Sequence, residues 1–254
     1  MTSSNRPNAT RTSMNTNAFE RPLGQAGTID RAAYDEGLRQ HMLRVYNIMG
    51  LGLVLTGLVA MVTASTPFLY NAIFGTPLQW VVMLAPLGFV FFISFKADSM
   101  SAARAQTLFW AFAGVMGLSI AWIFQVFTGG SIARVFFITA AVFGAMSLYG
   151  YTTKRDLSGF GSFLFMGLIG VVIASLVNLF LQSSALHFAV SIIGVLVFTG
   201  LTAYDTQRIR ELYDEGAGSE SMSKLAVMGA LSLYLSFINL FMLLLQFFGM
   251  QQQE

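Results

Sequence analysis

Ile192–Arg210, IIGVLVFTGLTAYDTQRIR, opens as an unbroken apolar run and closes in a polar cluster that contains Asp205. The run is of the kind that sits in lipid, and Asp205 adjoins it directly on its apolar side. An ionised residue at the centre of a spanning helix costs roughly 2.5 to 3.5 kcal/mol on insertion scales, and less near the ends. Acids kept there therefore tend to face a protein interior or a water-filled cavity. The chain around this stretch has 254 residues, of which 55% are hydrophobic and only 10% charged, too apolar for a soluble domain. Cysteine is absent, which excludes disulfides and thiolate metal sites. The net charge of +2 could suggest nucleic acid, but the basic residues stand at the ends of apolar runs, where membrane orientation explains them better.

A hydrocarbon core about 30 Å thick needs roughly 20 apolar residues in helix. Seven stretches meet or approach that length, near Val45–Ala64, Leu78–Phe95, Ala105–Phe127, Ile132–Tyr151, Phe160–Leu181, Leu186–Tyr204 and Leu225–Phe248. The expected fold is an all-α membrane protein, a bundle of seven transmembrane helices. Residues 1 to about 30 are rich in Ser, Thr, Asn and Arg and lack an apolar period, so they read as a disordered tail. From Asp30 to Arg44 a partly amphipathic stretch leads into the first span as a short interfacial helix. We therefore place a cytoplasmic tail at 1–40 and the transmembrane domain at 41–250. The first long apolar run begins too late for a cleavable secretory signal.

Orientation follows from Lys and Arg in short connections, which stay cytoplasmic. Every Lys and Arg except Arg134 falls in the tail or in the second, fourth and sixth connections. The N-terminus is then inside and the C-terminus outside, as an odd number of spans requires. Small residues at close-packing intervals, Gly50, Gly52 and Gly57, Ala113 and Gly117, Gly167 and Gly170, suit a tight bundle or reflect how common glycine is in membrane helices. VLTGLVA at Val54 and VFTGLTA at Val197 match at five of seven positions, which chance in so limited an alphabet explains as readily as an inverted repeat.

The last span carries Ser232, Tyr234, Ser236 and Asn239. Ser232, Ser236 and Asn239 share one helical face, and a polar stripe in lipid should turn inward, so this helix is placed at the centre of the bundle. Two readings of the stripe stand: a lining for a polar path, or interhelical hydrogen bonding with no further role. Asp205 likewise reads either as an interfacial anchor paired with Arg208 one turn on, or as the inner mouth of a polar cavity lined by the last span. His41 and His187 have no Cys, Asp or Glu at metal-ligand spacing. With one carboxylate visible in the bundle there is no aspartyl dyad, and no phosphate loop or dinucleotide fingerprint occurs. An enzyme with a cofactor is not expected.

Three segments resemble the Bax inhibitor-1 family: RVYNIMGLGLVLTGLVA at Arg44, LYGYTTKRDLSGFGSFLFMGLIGVVIASLVNLF at Leu148, and TGLTAYDTQRI followed by LSLYLSFINLFMLLLQFFG. The resemblance covers the chain after residue 40 and points to a bacterial, inner-membrane member. It implies seven helices with the last enclosed by the other six and, for some bacterial members, a pH-sensitive calcium leak closed by two aspartates on the last two spans. Asp205 matches the first of these, while the second falls at Ser236, and Lys96 matches the basic residue that latches the gate. Two close carboxylates titrate as a coupled pair, so Ser236 removes that coupling. One carboxylate with Ser236, Ser232 and Asn239 would hold Ca2+ only weakly and transiently, which suits permeation more than buffering. Other members restrain a membrane-anchored protease, which implies an alternative: a membrane regulator whose Arg-bearing tail is the contact.

Overall fold

The computed structural model describes residues 23–250, the side chains of 23–30, 32 and 98 excepted. These residues form nine α-helices: α1 (Leu23–Ser65), α2 (Pro67–Phe74), α3 (Leu78–Lys96), α4 (Ala102–Ile120), α5 (Ile123–Val126), α6 (Gly129–Thr152), α7 (Ser158–Leu181), α8 (Ser184–Glu211) and α9 (Ser219–Phe248). Seven spans are long and apolar enough to cross a membrane: α1 from Ala33, α3, α4 with α5, α6, α7, α8 and α9. The fold is the expected all-α membrane bundle of seven helices.

Two boundaries differ from the sequence reading. Helix α1 begins at Leu23, so residues 23–40, expected as disordered tail and lead-in, are helical; residues 1–22 lie outside the described residues. Arg, Ala, Glu, Leu and Gln between 31 and 44 are all good helix formers, in keeping with the helix expected from Asp30 to Arg44, and α1 extends that helix back to Leu23. By contacts the chain divides after Gly37, and the spans, save the first residues of the first, belong to the unit Leu38–Glu254. The first connection also holds α2, whose eight mostly apolar residues start with Pro67 at the favoured first position.

Helix starts carry hydroxyl caps: Ser101 accepts from the Arg104 N–H, Thr128 from Ser131 and Ser183 from Leu186. The third span breaks at Ala121 and Trp122, where Phe124 and Gln125 donate three residues back, at 3.2 and 3.0 Å. The break lets the Gln125 amide reach the Ala64 carbonyl at 3.1 Å, satisfying an orphan acceptor at the end of α1.

Helix α9 occupies the centre. In its most apolar window 67% is buried, against 11% for α3 and 6% for α7. It packs against α4, α6 and α8, while α7 lies on α8 and α3 on α4. Helix α6 and α8 approach so closely that a Cβ at Gly150 would overlap the Ala203 carbonyl oxygen, whereas Gly144, two turns earlier on α6, faces open space. Gly150→Ala should therefore cost about 1–3 kcal/mol in unfolding measured in detergent, and Gly144→Ala should cause no loss.

Candidate functional site

Asp205 sits in α8, six residues before its last residue Glu211, which at 1.5 Å per residue places it about 9 Å inside the helix end. Its half-buried carboxylate faces α9. The Ser236 hydroxyl donates to Asp205 Oδ2 at 3.1 Å, and Ser236 itself is buried. Ser232, one turn earlier on the same face of α9, also acts on the carboxylate. Charge-assisted bonds of this kind are the stronger class of hydrogen bond. The position where relatives are expected to carry a second aspartate thus holds a hydroxyl aimed at the first.

The remaining residues singled out from the sequence are placed differently. Arg208 is exposed one turn on and acts on the carboxylate electrostatically. Asn239 is exposed, and its amide donates to the Leu235 carbonyl of its own helix at 2.8 Å. Spacing fixes where its Cβ points, but the amide satisfies a donor on the nearest backbone oxygen instead of reaching the carboxylate. Lys96 is exposed in the seam between α3 and α4, where it lines a groove of about 550 Å3 with Arg104. The structure brings Asp205, Ser236 and Ser232 together; it does not bring Lys96 or Asn239 to them. His41 is buried with its ring 5.7 Å from that of Tyr213.

The residues after Asp205 tie down the neighbouring turn. Thr206 donates to Thr202 O at 2.8 Å and also lies 3.3 Å from the Ser147 hydroxyl of α6. The buried Gln207 amide accepts from the Leu157 N–H and donates to Arg155 O, both at 2.8 Å. Arg210 reaches the carbonyls of Tyr151 and Thr153. The stretch YDTQRI therefore splits its work: Asp205 faces α9, while Thr206, Gln207 and Arg210 hold α6 and the α6–α7 turn. In that turn Asp156 accepts from the Ser158 N–H at 2.8 Å, and its bonds to Ser158, the side chain first and the backbone second, hold its carboxyl below the usual range.

A second polar link crosses the bundle that spacing did not reveal. The Thr56 hydroxyl on α1 donates to the Ala113 carbonyl of α4 at 2.8 Å and lies 2.6 Å from the Tyr234 hydroxyl of α9. A threonine hydroxyl has one proton, and Ala113 takes it, so Tyr234 is the donor to Thr56. Tyr234 is fully buried, edge-on to Phe109 and Phe112 at 5.7 and 5.5 Å. Helix α9 is thus bonded on two opposite faces, through Tyr234 to α1 and α4 and through Ser236 to α8.

A buried apolar helix held by polar links to its neighbours, in a bundle of seven spans, defines a polytopic integral membrane protein. The family model described as inhibitor of apoptosis-promoting Bax1 matches residues 38–253. Protein RP147 of Rickettsia prowazekii is 50% identical over 222 residues, 87% of this chain and 94% of the relative. The inner membrane protein YbhL of Escherichia coli K12 is 46% identical over 216 residues, 84% of this chain and 92% of its own length. A Caulobacter vibrioides protein is 45% identical over 245 residues, 92% of this chain and 98% of the relative. The chain belongs to the Bax inhibitor-1 family.

The two links give separate tests. Tyr234→Phe removes a donor and should cost about 0.6 kcal/mol, the mean for interhelical bonds in membranes. Thr56→Val leaves the buried tyrosine hydroxyl unpaired and should cost more, about 1–3 kcal/mol; unfolding in mixed micelles should show that order. For Asp156 a lowered folded pKa means its contribution is present above the ordinary aspartate value and is lost as pH falls through the lowered one. A carboxyl-carbon NMR titration should find its midpoint below that of a free aspartate, and Ser158→Ala should move it back upward.

Proposed function

We propose that this protein is a cation leak of the inner membrane, with calcium as the ion, in which Asp205 selects and gates at the cytoplasmic mouth and couples passage to pH. The observation that carries the reading is the bond from Ser236 on the enclosed helix to Asp205 on α8. A carboxylate held by a hydroxyl is a movable closure: a cation or a proton reaching it competes with Ser236 for the same oxygens. Among the described residues no group of three or more His, Cys, Asp or Glu could hold a metal. An ion would therefore meet one carboxylate and neutral oxygens, which favours brief occupancy over storage. The orientation belongs to the proposal too. The helix ends around Asp205 carry Lys96, Arg104, Lys154, Arg155, Arg208 and Arg210, the pattern of a cytoplasmic face, and YbhL is by name an inner membrane protein.

Liposomes holding purified protein and an internal calcium dye test this. Asp205→Asn keeps an acceptor for Ser236 but loses the charge, and should lower flux several-fold and flatten its pH dependence. Ser236→Ala removes the closing donor and should raise the basal leak. Wild-type flux no greater than that of empty vesicles, or Asp205→Asn flux equal to wild type, would sink the leak. Removal of residues 1–30 should leave flux intact; if it instead abolished capture of a membrane-anchored protease while no flux was seen, the regulatory alternative would stand in its place.

A further inference from the structure

A further cavity lies away from the site, and Asp205 is not among the residues that line it. It is a groove of about 690 Å3 between α1 and α6, running from Arg39 past Tyr46 to Leu53, with Phe143, Ser147 and Phe237 on its floor. At 1.5 Å per residue, Arg39 to Leu53 spans about 21 Å. A smaller cavity of about 270 Å3 shares Leu53, Phe136 and Phe237 and continues the same cleft past Gly57 and Ala60. The rim is set to face hydrocarbon: Leu43, Leu148 and Phe137 are 47%, 64% and 70% exposed.

A cleft this size opening sideways into lipid is filled, because an unfilled one forfeits the dispersion contacts of its walls, and water gains too few polar partners on so apolar a lining. What fills it must match both of its ends. Along its length its lining is mostly apolar, which suits a hydrocarbon chain. At one end stand Arg39 and Tyr151, with Tyr46 farther along, the residue types that hold a headgroup at the membrane surface. We propose that the groove between α1 and α6 is a binding site for an anionic phospholipid, with one acyl chain along the groove and the phosphate at Arg39. The proposal is independent of ion passage: the site exists whether or not Asp205 gates.

Gly144 supplies the means to close it. It lines the groove, and a Cβ built on it meets nothing within 4 Å, so a larger side chain enters the groove and leaves the core packing alone. Full-length protein in detergent, stripped of lipid, is titrated with phosphatidylglycerol and with phosphatidylethanolamine of the same chains, and bound lipid is counted by native mass spectrometry. Wild type should bind the anionic lipid roughly fivefold more tightly, the scale of one added cation at a membrane surface. Gly144→Leu, its Tm unchanged, should lose most of the binding of both lipids. Arg39→Gln should bring the anionic lipid down to the level of the zwitterionic one, and excess glycerol 3-phosphate should displace neither. Equal binding of the two lipids by wild type overturns the proposal. So does undiminished binding by Gly144→Leu, or displacement by the free headgroup. Should Gly144→Leu prove unstable, Arg39→Gln alone decides.

Discussion

An enclosed helix in a membrane must find a partner for every polar group within the bundle, because no water reaches it there and each unsatisfied group costs free energy. Helix α9 meets that constraint with two links on opposite faces, Tyr234 to Thr56 and Ser236 to Asp205. The first is neutral and deeply buried; the second ends on a half-buried carboxylate near the mouth of the bundle. Since Tyr234 and Ser236 are two residues apart on one helix, fixing the first sets the rotation and depth of the second. The carboxylate's partner is therefore positioned by a contact made on the far side of the helix.

The same division holds within α8. Gln207 and Arg210 bind carbonyls and N–H groups of the α6–α7 turn, and Gly150 allows α6 to lie against the α8 backbone at Ala203. These contacts fix the helix on which Asp205 rides. The carboxylate itself is held by the Ser236 hydroxyl, and interhelical hydrogen bonds in membranes average about 0.6 kcal/mol. Rigid surroundings with one weak, charged link across a helix pair are what a two-state element needs, since a gap of a few kcal/mol leaves a minor state populated. In the proposed leak, that link is the part that moves.

Most of the fold was legible because a membrane constrains each span separately. A run of apolar residues of the right length is sufficient, and the seven runs require no knowledge of their neighbours. The central place of α9 was legible from a polar stripe on an otherwise apolar helix. Helix α2 was not, since eight residues are too few to read as a span, nor was the start of α1, where a polar stretch with Gly24 and Gly27 gives no helical signal. At the site, Asp205, Ser236 and Ser232 could be found by spacing because each faces a neighbouring helix. Asn239 lies on the same stripe, yet its amide turns to its own backbone, and spacing cannot see where a flexible side chain ends. The Tyr234–Thr56 link joins residues 178 apart in sequence, one of them an ordinary threonine among apolar neighbours. Nothing in a single chain's pattern marks such a pair.

The groove and the carboxylate are separated by one layer of side chains. Phe237 lies on the groove floor and follows Ser236; Ser147 also lies there and touches Thr206, which follows Asp205. Each of the two residues that make the Asp205–Ser236 link thus has a chain neighbour that lines the cleft or touches a residue that does. Coupling between sites is reciprocal. If the proposed lipid and the proposed leak both hold, an acyl chain that steadies Phe237 and Ser147 in their present places would favour the closed link, and by the same free energy opening that link would weaken the hold on the chain. A leak built this way would respond to the lipid around it through packing alone, without any contact between the phosphate and Asp205.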